Sequence, residues 1–279
     1  MSSYTVLSPA KLNLYLRVLN KRADGYHNII TRMQKIDLMD TMEFQEKERH
    51  VLKCPGFPHL ENDENLICKA IRSLQEETGL DLAVEITLHK VIPAAAGLGG
   101  GSSNAATTLM TLNEMFALNL SREKLMTIGA RLGADVPFFI YGDGAWASGI
   151  GDHLELAEEL PPLWCVLVNP GVEISTREVY EGLNLGLTNP VINYSIPRFS
   201  TVAEMTEGLH NDLERVSFSL FPELKAIKNG MLEAGALGAL MSGSGPTICG
   251  FFDHESAARQ AVERFEKNEN WFVRAVRPL

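Results

Sequence analysis

The chain has 279 residues, of which 45% are apolar and 22% charged, with a formal net charge of -10. This balance is typical of a folded globular protein and argues against disordered or fibrous classes, and the acidic charge argues against a nucleic-acid partner. No apolar run could span a bilayer, and residues 1–4 lack the pattern of a secretory signal, so we expect no membrane partner and a cytoplasmic location.

A strand is predicted near the start of the chain. Leucine or valine stands at every second position from Leu12 to Val18, which is the period of a strand. The same period places Lys11 and Asn13 together on the opposite face, where a ligand could reach them. From the strand pattern alone, solvated residues are the better expectation, because polar strand faces usually meet water.

An Asp-Gly turn follows and places Tyr26 and His27 at the start of the next predicted strand. An aromatic ring beside a histidine can stack on a flat base and hydrogen-bond its edge. An aromatic residue at the start of a strand is equally ordinary. These residues alone leave both interpretations open.

A glycine loop lies at residues 93–104, with four glycines in the five positions that end at Gly101. A predicted strand over residues 82–88 precedes it, and a predicted helix follows, with Ser102 or Ser103 available as N-cap. Backbone N–H groups and the positive end of a helix dipole then face one small volume, which suits phosphate oxygens. The alternative is a tight turn whose glycines only allow close packing. The spacing fits neither a Walker P-loop nor a dinucleotide fingerprint.

Asp135 lies in a predicted short turn. The preceding helix, from residue 121, is predicted to end at Gly133, and Pro137 is expected to prevent a further helix. Residues 141–148 then read as a strand. A carboxylate held in this way is either a hydrogen-bond acceptor at the helix end or a positioned base, and the pattern favours neither.

Two consecutive prolines at 161 and 162 predict a domain boundary, giving domains 1–160 and 161–279. A second glycine loop at residues 242–246 joins two predicted strands. Apart from extra helices, the second domain reads strand, helix, strand, strand, helix, strand, the split βαβ order of ferredoxin-like domains. The other predicted elements are strands over 29–36, 41–44, 163–168, 237–241, 247–252 and 271–276, helices over 64–77, 175–182, 202–209, 222–234 and 255–266, and a loop over 188–200.

The four cysteines are far apart, with no Cys-x-x-Cys pair, and the seven histidines are also scattered. This spacing argues against a zinc site and against a thiol redox motif. We therefore expect buried free thiols.

Three segments resemble, in order, the three motifs of the GHMP small-molecule kinases. They are residues 9–14 (PAKLNL), 97–106 (GLGGGSSNAA) and 241–247 (MSGSGPT). One departure is the run of alanines over 94–96, where many members carry a glycine. The resemblance covers essentially the whole chain and implies an α+β fold of two domains, ribosomal S5-like at the N-terminus and ferredoxin-like at the C-terminus.

Residues 22–27 (RADGYH) and 133–139 (GADVPFF) are similar to one branch of that family. This resemblance implies transfer of phosphate from ATP, with Mg²⁺, to the tertiary 2-hydroxyl of CDP-methylerythritol. Asp135 would accept the hydroxyl proton, with Lys11 beside it. ATP would be held by Gly97, Leu98, Gly99, Gly100, Gly101, Ser102 and Ser103, with Asn65 and Lys90 on the adenine side. The acceptor would be held by Asn13, Tyr26, His27, Thr176 and Tyr180, with cytosine between the two tyrosines.

Two alternatives remain at this point. A sibling enzyme acting on homoserine or mevalonate would share the fold, and the Gly25-Tyr26-His27 segment argues against it. A catalytically idle nucleotide-binding module is disfavoured because Lys11 and Asp135 are both present. The sequence identifies no carboxylate ligand for Mg²⁺ and does not specify an oligomeric state. Ser102 or Ser103 is the candidate that reaches Mg²⁺.

Overall fold

A computed structural model describes residues 3–185 and 196–279. Residues 188–195 of the predicted loop over 188–200 lie outside the described residues. The described chain forms two compact units. Unit 1 comprises residues 3–10, 38–94 and 99–143, and unit 2 comprises 11–37, 95–98, 144–185 and 196–279. This division differs from the boundary predicted after residue 160, because residues 144–160 lie in unit 2. The two sequence domains remain a prediction.

Helices and strands are mixed along the described chain, as an α+β fold requires. The strands are β1 (Ser3–Lys21), β2 (His27–Glu46), β3 (Val51–Lys53), β4 (Val84–His89), β5 (Gly144–Ser148), β6 (His153–Leu156), β7 (Trp164–Asn169), β8 (His210–Asn211), β9 (Gly238–Met241), β10 (Ile248–Phe252) and β11 (Phe272–Val276). The helices are α1 (Leu66–Thr78), α2 (Gly100–Met115), α3 (Arg122–Leu132), α4 (Val136–Tyr141), α5 (Thr176–Glu181), α6 (Val202–Gly208), α7 (Glu214–Leu220), α8 (Pro222–Glu233) and α9 (Glu255–Phe265).

Unit 1 packs helices α1 to α4 together with a small group of strands. β4 pairs antiparallel with the last part of β2, with Thr41 opposite His89, and parallel with β3. Helix α1 begins after Asn65, whose side chain accepts a hydrogen bond from the N–H of Ile67, and ends at Gly79 in the left-handed conformation. Buried residues at helical spacing in α1 face α2, so the apolar period of the sequence positions the two helices.

Unit 2 contains a four-stranded antiparallel sheet with the strand order β11-β7-β10-β9. Numbered along the chain these strands are fourth, first, third and second. This arrangement confirms the split βαβ order that the sequence predicted. α8 packs on β9 and β10, and α9 packs on β7, β10 and β11, so one face of the sheet is covered. Val166, Ile248 and Met231 are among the fully buried residues of this core.

The strands at the start of the chain differ from the prediction. Residues 27–46 form one strand, not two, and β1 lies between β2 and β8 in the sheet. Lys11 and Asn13 are only 4% and 5% exposed. The expectation of solvated side chains at these two positions is wrong, because alternation reports one apolar face and cannot tell what covers the other.

Helix boundaries near the predicted site also differ from the sequence pattern. Residues 136–141 form α4, although Pro137 was expected to prevent a helix. Proline is tolerated there because the first turn of a helix needs no N–H bond. α2 begins after Gly99, at φ 70°, and not after a serine. Its N-cap is glycine because the left-handed conformation costs that residue little. α7 was not predicted, since its sequence ERVSFSL lacks a clear helical period.

All four cysteines are buried free thiols, as predicted. Cys54 and Cys68 lie in unit 1, and Cys165 and Cys249 in unit 2. Burial raises the pKa of the Cys54 and Cys68 thiols and holds the pKa of Cys249 well above its ordinary value. No helix within the described residues is long and apolar enough to cross a bilayer.

Candidate functional site

Lys11 and Asn13 form a buried polar pair on β1. The Lys11 ammonium donates a hydrogen bond to Oδ1 of Asn13, and the Asn13 amide donates to Oγ1 of Thr31 at 2.8 Å. The backbone N–H of Lys11 donates to the carbonyl of Leu98 at 2.9 Å. A buried ammonium is costly unless it is paired and hydrogen-bonded, and the Asn13 oxygen is one of the partners of Lys11.

Gly97 lies against the second glycine loop within unit 2. The Ser242 hydroxyl donates to the Gly97 carbonyl at 2.9 Å and accepts from the N–H of Asn13 at 3.3 Å. Gly97 has φ +75°, and a Cβ placed on it would stand 2.2 Å from the carbonyl oxygen of Ser242. Close packing against the second glycine loop therefore requires glycine at position 97. At this position the structure shows the close packing that the sequence offered as the alternative to a phosphate site.

Asn211 fixes the second glycine loop. Its amide donates to the carbonyls of Met241 and Gly243 at 2.8 and 2.7 Å, and its Oδ1 accepts from the N–H of Leu213 at 2.9 Å. The Ser217 hydroxyl donates to the Ser244 carbonyl at 3.0 Å. Sequence reasoning missed both side chains. The only signal was a polar residue between apolar segments, about 30 positions from its partners in the chain.

Two aromatic rings meet at the predicted cytosine site. The rings of His27 and Tyr180 are 5.2 Å apart, inclined by 33°. Tyr26, the other predicted member of the sandwich, is 62% exposed. Burial lowers the pKa of His27, and the charge of Lys21 lowers it further, so the imidazole is neutral at pH 7. The hydroxyl of Thr176 lies 2.8 Å from that of Ser244.

In unit 1, the first turn of α2 carries the accessible part of the first glycine loop. The first intrahelical bond runs from the N–H of Ser103 to the carbonyl of Gly99 at 2.9 Å, so the N–H groups of Gly100 to Ser102 have no partner within the helix. Gly101 is exposed and Ser102 half-buried, whereas the Ser103 hydroxyl is fully buried and accepts from Ser8 at 2.8 Å. Ser102 is thus the better placed of the two for a ligand.

The two predicted adenine-side residues also lie in unit 1. Lys90 forms an ion pair with Asp40 at 2.5 Å, and its Nζ lies 3.2 Å from where a Cβ on Gly100 would stand. Asn65 caps α1, and its amide donates to the carbonyl of Leu60 at 2.9 Å. A Cβ on Gly101 would stand 3.7 Å from the neighbouring Leu66 side chain. Lys90 and the start of α1 are therefore both adjacent to the first turn of α2.

Asp135 is the N-cap residue of α4, and its side chain makes no capping hydrogen bond. The turn that holds it is closed by a bond from the N–H of Val136 to the carbonyl of Gly133 at 3.1 Å. A Cβ on Gly133 would stand 3.7 Å from the Ser102 hydroxyl. Unit 1 therefore brings the Asp135 turn beside the first turn of α2.

Comparison with known proteins assigns the chain to a family. Residues 65–143 match the GHMP kinases N terminal domain, and residues 196–270 match the GHMP kinases C terminal domain. A 4-diphosphocytidyl-2-C-methyl-D-erythritol kinase of Syntrophus aciditrophicus is 54% identical over 98% of this chain and 99% of its own. The chain belongs to the GHMP kinase family. It is an ATP-dependent small-molecule kinase with the two-domain α+β fold of that family.

Other relatives of this GHMP kinase agree with the assignment. The 4-diphosphocytidyl-2-C-methyl-D-erythritol kinase of Geobacter sp. (strain M21) is 46% identical, with 100% of both chains covered. A crystal structure of a 4-(cytidine 5'-diphospho)-2C-methyl-D-erythritol kinase matches with a TM-score of 0.80 and 35% identity, over 98% of this chain and 99% of that one. Homoserine kinase from Cytophaga hutchinsonii matches with a TM-score of 0.71 at 18% identity, over 99% of this chain and 94% of that one, and shows the fold alone.

Proposed function

We propose that the chain phosphorylates the 2-hydroxyl of 4-diphosphocytidyl-2-C-methyl-D-erythritol, a step of the non-mevalonate isoprenoid pathway. The relatives that are 46% to 54% identical carry this activity in their names. The observation that carries the proposal is the paired rings of His27 and Tyr180. Cytosine distinguishes this acceptor from homoserine and mevalonate, and a flat base needs aromatic faces and a neutral polar edge. The cytoplasmic location stays a prediction.

The proposed base is Asp135. As the acceptor oxygen forms its bond to the γ-phosphorus, the bond from that phosphorus to the bridging oxygen of ADP breaks, and the hydroxyl proton passes to a carboxylate oxygen of Asp135. We propose that Lys11 orients the hydroxyl, and that Asn13 fixes the ammonium of Lys11. A tertiary alcohol is a crowded nucleophile, so alignment and charge neutralisation must supply most of the acceleration.

We propose that the N–H groups of Gly100, Gly101 and Ser102 bind the phosphates of ATP, which supplies the transferred phosphoryl group. Gly101 is exposed and Ser102 half-buried in the first turn of α2, and the positive end of the helix dipole there fits an anion. Among the described residues there is no group of three or more His, Cys, Asp or Glu side chains that could hold a metal ion. Mg²⁺ bound through phosphates needs only one or two protein ligands, and the Ser102 hydroxyl fits this smaller requirement.

The test is a phosphorylation assay that compares the CDP-alcohol with homoserine and mevalonate. Asp135→Asn should lower turnover of the CDP-alcohol at least about 100-fold while the acceptor still binds, because the isosteric amide cannot take the proton. Asp81→Asn, at an exposed carboxylate of the same unit, is the matched control. Preferred turnover of homoserine or mevalonate would contradict the proposed substrate, and near-normal turnover by Asp135→Asn would contradict the proposed base.

A further inference from the structure

The carboxylate of Asp40 is fully buried and accepts four hydrogen bonds within unit 1. Oδ2 accepts from Lys90 Nζ at 2.5 Å and from the Asn104 amide at 3.0 Å. Oδ1 accepts from the N–H groups of Val91 and Ile92 at 2.7 and 2.9 Å. Bonds to an ionised carboxylate are stronger than neutral ones, and burial adds to the cost of losing any of them.

The four donors come from both ends of the first glycine loop. Residues 90–92 immediately precede the loop, and Asn104 is its last residue, in the second turn of α2. A single side chain on β2 therefore fixes where the loop begins and where it ends. The Asn104 amide also donates to the Ser8 hydroxyl at 2.9 Å, which joins α2 to β1 in the same buried network.

Charge gives Asp40 a second effect. The ammonium of Lys90 lies 3.2 Å from the Cβ position of Gly100, at the positive end of α2. A cation is repelled there, since the helix dipole favours anions at this end. The paired side chains of Lys90 and Asp40 are 6% and 0% exposed, so solvent does little to offset that repulsion. The Asp40 carboxylate is what holds the ammonium beside the helix.

We infer that Asp40 is a positioning residue for ATP binding. It acts through Lys90 and through the two ends of the loop, because it is fully buried and does not reach a nucleotide itself. The inference rests on the proposed ATP site at the start of α2. Loss of the Asp40 carboxylate should weaken nucleotide binding and leave binding of the acceptor alcohol unchanged.

The primary test is Asp40→Asn in the full chain. Asparagine keeps the shape of the side chain and the oxygen that accepts from Val91 and Ile92. Its NH2 group, however, would face the donor groups of Lys90 and Asn104, from which it cannot accept a hydrogen bond. The dissociation constant for ATP, measured by titration without acceptor, should rise roughly 10- to 100-fold, the usual cost of removing a partner that orients ligand-binding groups. The KM for ATP should rise with it, while kcat and the KM for the acceptor change much less.

Asp37→Asn is the matched control. Asp37 lies on the same strand and also accepts from a backbone N–H and a cationic side chain, both of Arg277, at 2.6 and 3.4 Å. It lies in unit 2, and its two hydrogen bonds to Arg277 do not involve the loop. ATP affinity should be unchanged in this variant.

Asn104→Ala provides a second test that does not depend on the folding of Asp40→Asn. Alanine suits the helix interior, and the variant removes one of the four donors. ATP binding should weaken less than in Asp40→Asn, again without a change in the acceptor KM. Wild-type ATP affinity in a folded Asp40→Asn, or in Asn104→Ala, would overturn the inference, as would equal weakening for ATP and acceptor. A wild-type chain that binds ATP but does not phosphorylate the CDP-alcohol would contradict the proposed function alone.

Discussion

The polar groups of the two units are organised by different interactions. In unit 1 the Lys90–Asp40 ion pair lies beside the first turn of α2, at the positive end of the helix dipole. In unit 2 neutral amides and hydroxyls hold the second glycine loop, with Asn211 and Ser217 as the main side chains. The positive end of a helix favours an anion, whereas neutral amides and hydroxyls fix the shape of a loop. The difference matches a proposed phosphate site in unit 1 and a proposed site for the uncharged cytosine base in unit 2.

The largest expected effect tests the close packing at the second glycine loop of unit 2. Gly97→Ala places a methyl group 2.2 Å from the Ser242 carbonyl at φ +75°. We expect the free energy of unfolding to fall by about 4 kcal/mol, the sum of overpacking and left-handed strain, with loss of turnover. Thermal unfolding and the phosphorylation assay measure this. Gly142→Ala, at extended φ with nothing within 4 Å, is the control and should be nearly neutral.

Asn211→Asp separates donors from shape at the second loop. The carboxylate keeps the size of the side chain but cannot donate to Met241 and Gly243, so two carbonyls lose a partner. We expect a loss of about 3 kcal/mol in unfolding free energy together with a higher KM for the acceptor. Asn113→Asp is the matched control, because the Asn113 side chain also hydrogen-bonds backbone groups, in this case those of Leu120. A loss of stability there should leave the KM unchanged. An unchanged acceptor KM in Asn211→Asp would show that the loop is only structural.

Tyr26→Ala tests whether the exposed ring closes on the base. We expect affinity for the CDP-alcohol to fall by about 2 kcal/mol, as for a lost base stack, with ATP affinity unchanged. Equilibrium titration of each ligand measures the two separately, and Tyr26→Phe should restore binding. Unchanged affinity in the alanine variant would mean that His27 and Tyr180 suffice without Tyr26.

The smallest effect is a pH dependence from His27. Burial lowers the pKa of its imidazole, so the folded protein keeps the neutral form below the ordinary value of about 6.5. Affinity for the CDP-alcohol should stay constant from pH 8 to about pH 6.5 and then decline a few-fold as the ring is protonated. The unfolded chain binds this proton more readily, so the free energy of unfolding also falls as the pH falls below about 6.5. His27→Gln should abolish the pH dependence of binding, and a flat wild-type profile would count against a role for the imidazole.

The sequence predicted most elements because their apolar periods are local. The split βαβ order of unit 2 and the helix that begins near Leu66 are examples. The burial of Lys11 was not predictable, since alternation on β1 does not say what covers its polar face. Nor could Asp40 be found, because its partners lie 50 to 64 residues away and no local motif marks it. The start of α2 at Gly100 was missed because serine is a favoured N-cap, whereas here Gly99 in the left-handed conformation is the N-cap residue.

The buried thiols allow the stability of the two units to be measured separately. Cys54 and Cys68 belong to unit 1, and Cys165 and Cys249 to unit 2. The thiolate is the nucleophile that attacks an alkylating reagent, so a buried thiol reacts only when its surroundings open. Pulsed alkylation followed by peptide mass spectrometry would then report opening of each unit from its own pair of cysteines. Added ATP should slow labelling at Cys54 and Cys68 in proportion to its affinity, which makes native residues the probes of ligand-linked stability.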